Sequence, residues 1–136
     1  MAILLDQTFP ANTEVLSALR QVVSDACRLV HCGDECSEHV VLAINEACMN
    51  VIQHGYHYAE GQRFALRLSV DGDMLVACLL DNGSPATDAD LRPRELDELR
   101  PGGLGVRFMR ELMDSVAYTT APEGFTNCLQ LNKRIY

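Results

Sequence analysis

The sequence predicts an α+β fold: a two-layer α/β sandwich, with a mixed, mostly antiparallel sheet carrying its helices on one face. Three observations predict it. Two strand-like runs flank Asp71-Gly72-Asp73 and read as a hairpin. The elements run strand, helix, helix, strand, strand, loop, helix, strand, strand, which is not the regular alternation of a doubly wound fold. The 136 residues suffice for one sizeable core but not two, so residues 1–136 are expected to form a single domain.

Residues 3–9 are mostly apolar and short, and Pro10 follows them, as in an edge strand. Asn12 or Thr13 offers an N-cap for a first helix, in which Val15, Leu16, Leu19, Val22, Val23 and Ala26 recur at helical spacing. That helix should end near residues 31–33. Ser37 is the expected N-cap of a second helix over residues 38–54, with an apolar stripe of Val40, Ile44, Ala47, Cys48 and Val51 and a stop at Gly55. Residues 62–70 alternate, with Phe64, Leu66, Leu68 and Val70 on one side, and residues 74–80 return as a more apolar strand. Residues 82–103 are rich in Pro, Asp and Arg and read as a loop with one short helix; a loop this long in so small a domain is usually functional. A glycine-opened helix over residues 105–113 and strands over 115–120 and 127–131 complete the chain.

A net charge of −8 and the lack of any Lys/Arg-rich run argue against a nucleic-acid partner, which needs a basic face to displace counterions. No run of about 18 apolar residues is long enough to span a membrane. The N-terminus lacks the basic start and long apolar run of a signal peptide, so the expected compartment is the cytoplasm and the six cysteines are expected to be reduced. Cys27, His31, Cys32, Cys36 and His39 cluster in sequence but contain no CxxC pair, and thiols near a helix–helix turn explain them better than zinc.

Three motifs carry chemistry. Glu46, Asn50 and His54 stand at i, i+4, i+8, so each step turns only about 40° and climbs about 6 Å along an α-helix. One narrow strip thus offers a carboxylate base, an amide oxygen for a hard cation and an imidazole, although spacing alone also fits a solvated helix face. Asp81-Asn82-Gly83 closes an apolar strand: the carboxylate can accept a hydrogen bond from an exocyclic amine, and the glycine admits a flat ring, while a plain β-turn is the simpler alternative. Gly102-Gly103-Leu104-Gly105 leads into a helix, where backbone N–H groups and the helix dipole favour an anion; a flexible loop at a helix start fits equally. It is neither a GxGxxG nor a GxxxxGK[ST] loop.

In order and context the three motifs resemble the ATP-binding signature of the gyrase, Hsp90, histidine-kinase and MutL superfamily. Residues 45–56 (NEACMNVIQHGY) resemble the N box of the anti-sigma-factor serine/threonine protein kinases, and residues 102–114 (GGLGVRFMRELMD) resemble their second glycine box and its helix. The closing Gly124-Phe125-Thr126-Asn127 and Lys133-Arg134 also fit. The resemblance implies a histidine-kinase-like ATPase fold that binds ATP and Mg²⁺. It casts Glu46 as the general base for a substrate hydroxyl and Asn50 as the Mg²⁺ ligand. Asp81 would bind the adenine amino group beside Gly83, the amides of Gly103, Leu104 and Gly105 would face the phosphates with His54 nearby, and Thr126 would lie near the adenine pocket. Asn82 and Ser84-Pro85 stand where some relatives carry a second glycine, so the adenine-side loop departs from the pattern.

The implied activity is phosphorylation of a small anti-sigma-factor antagonist protein, with a sigma factor as a further partner, homodimerisation, and transcription control by partner switching. An ATP-binding regulator that sequesters a partner without transferring phosphate is the alternative. A sensor histidine kinase fits less well, since 136 residues leave no room for its dimerisation helices and Asn45 stands where its N box usually carries His.

Overall fold

The computed structural model describes residues 1–91 and 108–136. Five strands form one sheet: β1 (Ala2–Pro10), β2 (Arg63–Asp71), β3 (Met74–Asp81), β4 (Ser115–Thr119) and β5 (Asn127–Arg134). Their order across the sheet is β1-β2-β3-β5-β4, and every pairing is antiparallel, so the mostly antiparallel expectation is met in its stricter form. The β2–β3 hairpin turns where predicted, with Asp71 opposite Met74 and Gly72 in the left-handed region (φ 62°) that a side chain disfavours. β1 is an edge strand, as the sequence suggested. β5 runs three residues beyond its predicted end because Lys133 and Arg134 still pair with Leu75 and Met74.

Two helices, α1 (Leu16–Leu29) and α2 (Asp34–Asn50), cover one face, together with a short helical segment at residues 108–112, α3. The strand alternation decides which side chains meet them. Phe64, Leu66 and Leu68 of β2, Leu75, Ala77 and Leu79 of β3, and Leu129 and Leu131 of β5 join Leu19, Val23, Val40, Ile44, Ile52 and Met109 in one core. Phe9 and Phe64 stack across the β1–β2 pair with ring centroids 5.7 Å apart. On the opposite face Ala65, Leu80 and Cys128 form a small satellite cluster. Lys133 Nζ donates to the carbonyl of Leu112 at 2.6 Å, placing a cation at the end of α3 where free carbonyls and the helix dipole favour it.

Two helix expectations need correction. Ser37 does not cap α2; its N–H donates to the Gly33 carbonyl at 2.8 Å, an i→i−4 bond that puts Ser37 inside the helix. Gly33, extended at ψ 164°, is the cap, and Asp34 and Glu35 place negative charge in the first turn. At the other end α2 does not continue as α-helix to His54. Residues Val51–Gly55 form a wider π-type turn, in which Tyr56 N–H reaches back five residues to the Val51 carbonyl at 2.8 Å. A short 3₁₀ turn, Asp88–Leu91, lies among the described residues of the long connection after β3.

Candidate functional site

The C-terminal end of β3 is the organising point. Asp81 is the last residue of an apolar strand flanked by β2 and β5, which is why its carboxylate is only 3% exposed. Its Oδ1 accepts two hydrogen bonds, from the Gly83 amide at 2.8 Å and from Asn127 Nδ2 at 3.0 Å. Among the described residues Oδ2 accepts none. Burial pushes the Asp81 carboxyl above its ordinary range, and the bonds from Asn127 and Gly83 oppose that shift. An acceptor oriented in this way, at the mouth of a strand, suits an amino group of a planar base.

Asn127 does more than pair with Asp81 across the β3–β5 ladder. Its Nδ2 also donates to the Ser84 carbonyl at 2.9 Å, and its Oδ1 accepts from the Ala86 amide at 2.9 Å. One buried amide therefore fixes both the acceptor and the chain that leaves it. Asn82 plays a similar part toward Thr126, whose amide donates to Asn82 Oδ1 at 2.9 Å and to the Asp81 carbonyl at 3.0 Å. Thr126 itself is exposed at the rim of this cluster.

α2 meets the same point from the other side. Ser84 N–H donates to the Gly55 carbonyl at 3.0 Å, tying the end of the π-type turn to the strand exit. A Cβ on Gly83 would lie 2.6 Å from the Gly55 oxygen and 2.9 Å from its Cα, so this glycine is demanded by the protein's own backbone. Tyr56 completes the joint: its buried hydroxyl donates to the Arg63 carbonyl at 2.6 Å and accepts from the Asn82 amide at 2.7 Å. Burial raises the Tyr56 phenol above its usual range.

Glu46 and Asn50 stand on successive turns of α2 and are half-buried, flanking the apolar positions Ala43, Ala47 and Val51. His54 is exposed on the π-type turn. The structure brings Asp81, Gly83 and Thr126 into one hydrogen-bonded cluster and ends α2 against it. Gly103, Leu104 and Gly105 lie outside the described residues. A cavity of about 510 Å³ between Ala11, Ile52 and Tyr58 includes none of the predicted site residues.

Asn127 and Tyr56 are the supporting residues that pattern reading missed as site members. Both sit inside segments quoted for their motifs, yet nothing in local spacing shows that Asn127 will meet a carboxylate 46 positions earlier. Among the described residues no helix is long and apolar enough to cross a membrane.

Residues 9–133 match the histidine kinase-like ATPase domain family. The serine-protein kinase RsbW of Bacillus subtilis (strain 168) is 31% identical over 122 residues, covering 82% of this chain and 75% of that protein. RsbW of Bacillus pumilus is 32% identical over 124 residues, covering 83% and 76%. Two solved structures share the fold. The RsbU and RsbW domains of a Mycobacterium tuberculosis protein align with a TM-score of 0.68 at 17% identity, over 96% of this chain and 32% of the other, so this chain spans about a third of that molecule. The SiaB–SiaC complex from Pseudomonas aeruginosa aligns with a TM-score of 0.65 at 14% identity, over 97% and 90%.

Proposed function

The chain belongs to the histidine kinase-like ATPase domain family, and we propose that it is an ATP-dependent serine/threonine protein kinase of the anti-sigma-factor type. Its substrate in this reading is a small anti-sigma-factor antagonist protein, and exchange between that antagonist and a sigma factor links the phosphorylation state to transcription. The observation that carries the reading is the junction of Gly55 with Gly83. It ties the end of the helical segment that bears Glu46 and Asn50 to the exit of the strand closed by the buried Asp81, which supports reading these three as base, hard-cation ligand and adenine acceptor.

In this assignment Asp81 takes the adenine amino group while Asn127 holds the carboxylate in place. Glu46 accepts the proton of the substrate hydroxyl as its oxygen attacks the γ-phosphorus and the bond to ADP breaks. Asn50 is a half-buried amide whose oxygen suits Mg²⁺, a hard cation that prefers oxygen ligands and keeps much of its water. When bound, Mg²⁺ would neutralise charge on the phosphates. Positioning and electrostatics supply most of the acceleration in phosphoryl transfer, which fits a site with a single candidate base.

The test is transfer of labelled phosphate from ATP, with Mg²⁺ present, to a purified small anti-sigma-factor antagonist protein. Labelled serine or threonine on the antagonist is expected. ATP binding without transfer at stoichiometric enzyme would instead favour a regulator that only sequesters its partner.

A further inference from the structure

Away from that locus, the connection between α1 and α2 gathers three thiols. Cys27 lies in the last turns of α1 and is fully buried; Cys32 is buried in the connection; Cys36 lies in the first turn of α2 and is half-exposed. The backbone folds back on itself here. His31 adopts the left-handed region (φ 56°), and the Cys32 amide donates to the Cys27 carbonyl at 3.1 Å. The Cys32 thiol has Cys27 and Cys36 as neighbours, and these, after burial, raise it. A surface groove of about 360 Å³, lined in part by Arg28, Cys32, Ser37 and Val41, opens beside it. All six cysteines are free thiols, and among the described residues no group of three or more His, Cys, Asp or Glu is arranged to hold a metal ion. Ordinary core packing accounts for Cys48, which is fully buried, but not for the half-exposed Cys36 in a cluster whose Cys32 lines an open groove.

We propose that Cys36 and Cys32 form a hydroperoxide-responsive pair that closes to an intramolecular disulfide. Access decides the order. Cys36 is the thiol of the three most open to solvent, whereas burial raises the Cys27 and Cys32 thiols and leaves them little thiolate. The Cys36 sulfur attacks one peroxide oxygen, the O–O bond breaks, and a sulfenic acid forms with release of water or an alcohol. The Cys32 sulfur then attacks the Cys36 sulfur, the S–OH bond breaks, and water leaves with the Cys32 proton. Two electrons pass from the sulfur pair to the peroxide. Cys32 lies just before α2 and Cys36 in its first turn, so the bridge would close a loop within one connection of the chain.

Trypsin provides a direct readout, because Arg20, Arg28 and Arg63 place Cys27 in the peptide 21–28 and Cys32, Cys36 and Cys48 together in the peptide 29–63. Full-length protein is treated with hydrogen peroxide, alkylated under denaturing conditions and digested. Peptide 29–63 is expected to lose two alkylations, with fragmentation showing Cys32 and Cys36 joined and Cys48 alkylated. In Cys36→Ser the bridge should vanish, and in Cys32→Ser the Cys36 sulfenic acid should persist long enough for dimedone to trap it. Full alkylation of Cys32 and Cys36 after peroxide, a bridge between peptides 21–28 and 29–63, or a bridge that survives in Cys36→Ser would each overturn the proposal.

Discussion

Asn127 Nδ2 donates to Asp81 Oδ1 at 3.0 Å, joining the first residue of β5 to the last residue of β3 at the point where α2 also ends. Both residues are buried, 5% and 3% exposed, so the bond lies where water cannot replace it. Replacing Asn127 by Ala strips Asp81 of one donor and releases the Ser84 and Ala86 contacts. A loss of about 1–3 kcal/mol in stability is expected from unsatisfied buried groups. Urea denaturation checks it: the midpoint should fall with the slope unchanged, and an unmoved midpoint would refute the role given to Asn127.

Asp81 and stability should part company with pH. Its folded carboxyl is raised above the ordinary value of 3.8 by burial, so the folded chain holds that proton more tightly than the unfolded chain. The stability this group contributes is full below the unfolded value and is lost as pH rises through the folded one. Asp81→Asn keeps an oxygen for Asn127 and Gly83 but never ionises. Its urea midpoint relative to wild type should therefore rise from about pH 4 toward neutrality and then level off. The same variant should bind ATP at least about tenfold more weakly, because an amide nitrogen cannot accept from an exocyclic amine. A pH-independent difference in midpoint would contradict the desolvated carboxylate.

Gly83→Ala places a Cβ 2.6 Å from the Gly55 oxygen, and backbone on both sides leaves little room to yield. A cost of about 1–3 kcal/mol is expected, typical of overpacking. The paired change at Gly55 is milder, since its own Cβ would meet nothing closer than 3.9 Å. Thermal melts of the two single variants should rank Gly83→Ala well below Gly55→Ala; the reverse order would rule out backbone contact as the reason for this glycine.

Tyr56→Phe removes one hydroxyl that serves two backbone groups, the Arg63 carbonyl and the Asn82 amide. About 1–2 kcal/mol should be lost, and amide exchange at Asn82 should accelerate while exchange in the middle of β3 stays slow. Equal acceleration throughout β3 would mean that the tyrosine supports the whole sheet and not this joint.

Glu46→Ala and Asn50→Ala separate chemistry from binding. Glu46→Ala should retain ATP affinity within about threefold while transfer falls by about 10²–10⁴, the usual worth of a general base. Asn50→Ala should lose the Mg²⁺-dependent part of ATP binding in calorimetry. Wild-type Mg-ATP affinity in Asn50→Ala would remove this residue from the metal's ligands.

Much of the architecture was legible beforehand because it rests on local periodicity. The alternation of Phe64, Leu66 and Leu68, the Gly72 turn and the apolar stripe from Val40 to Val51 each report which side of an element is dry, and the core took those sides. Helix ends were harder. Ser37 has the composition of a cap, but Gly33 reaches the right backbone geometry four residues earlier, and only hydrogen bonding distinguishes them. The π-type turn was likewise invisible, since 51–55 carries the same residues an α-helix would accept; the tie between Gly55 and Ser84 exists only once α2 is docked on the sheet.

The sequence by itself determined the order of the elements, the residue types available for chemistry and the family resemblance, because these depend on spacing along the chain. Tertiary structure alone decided how those residues serve one another. It buried Asp81, recruited Asn127 from 46 residues away to hold it, gave Gly83 its role against Gly55, and turned His54 out to solvent. The physical reason is that burial and hydrogen-bond partnership belong to packed surfaces, and two side chains become partners only when the β3–β5 ladder and the end of α2 close on the same point.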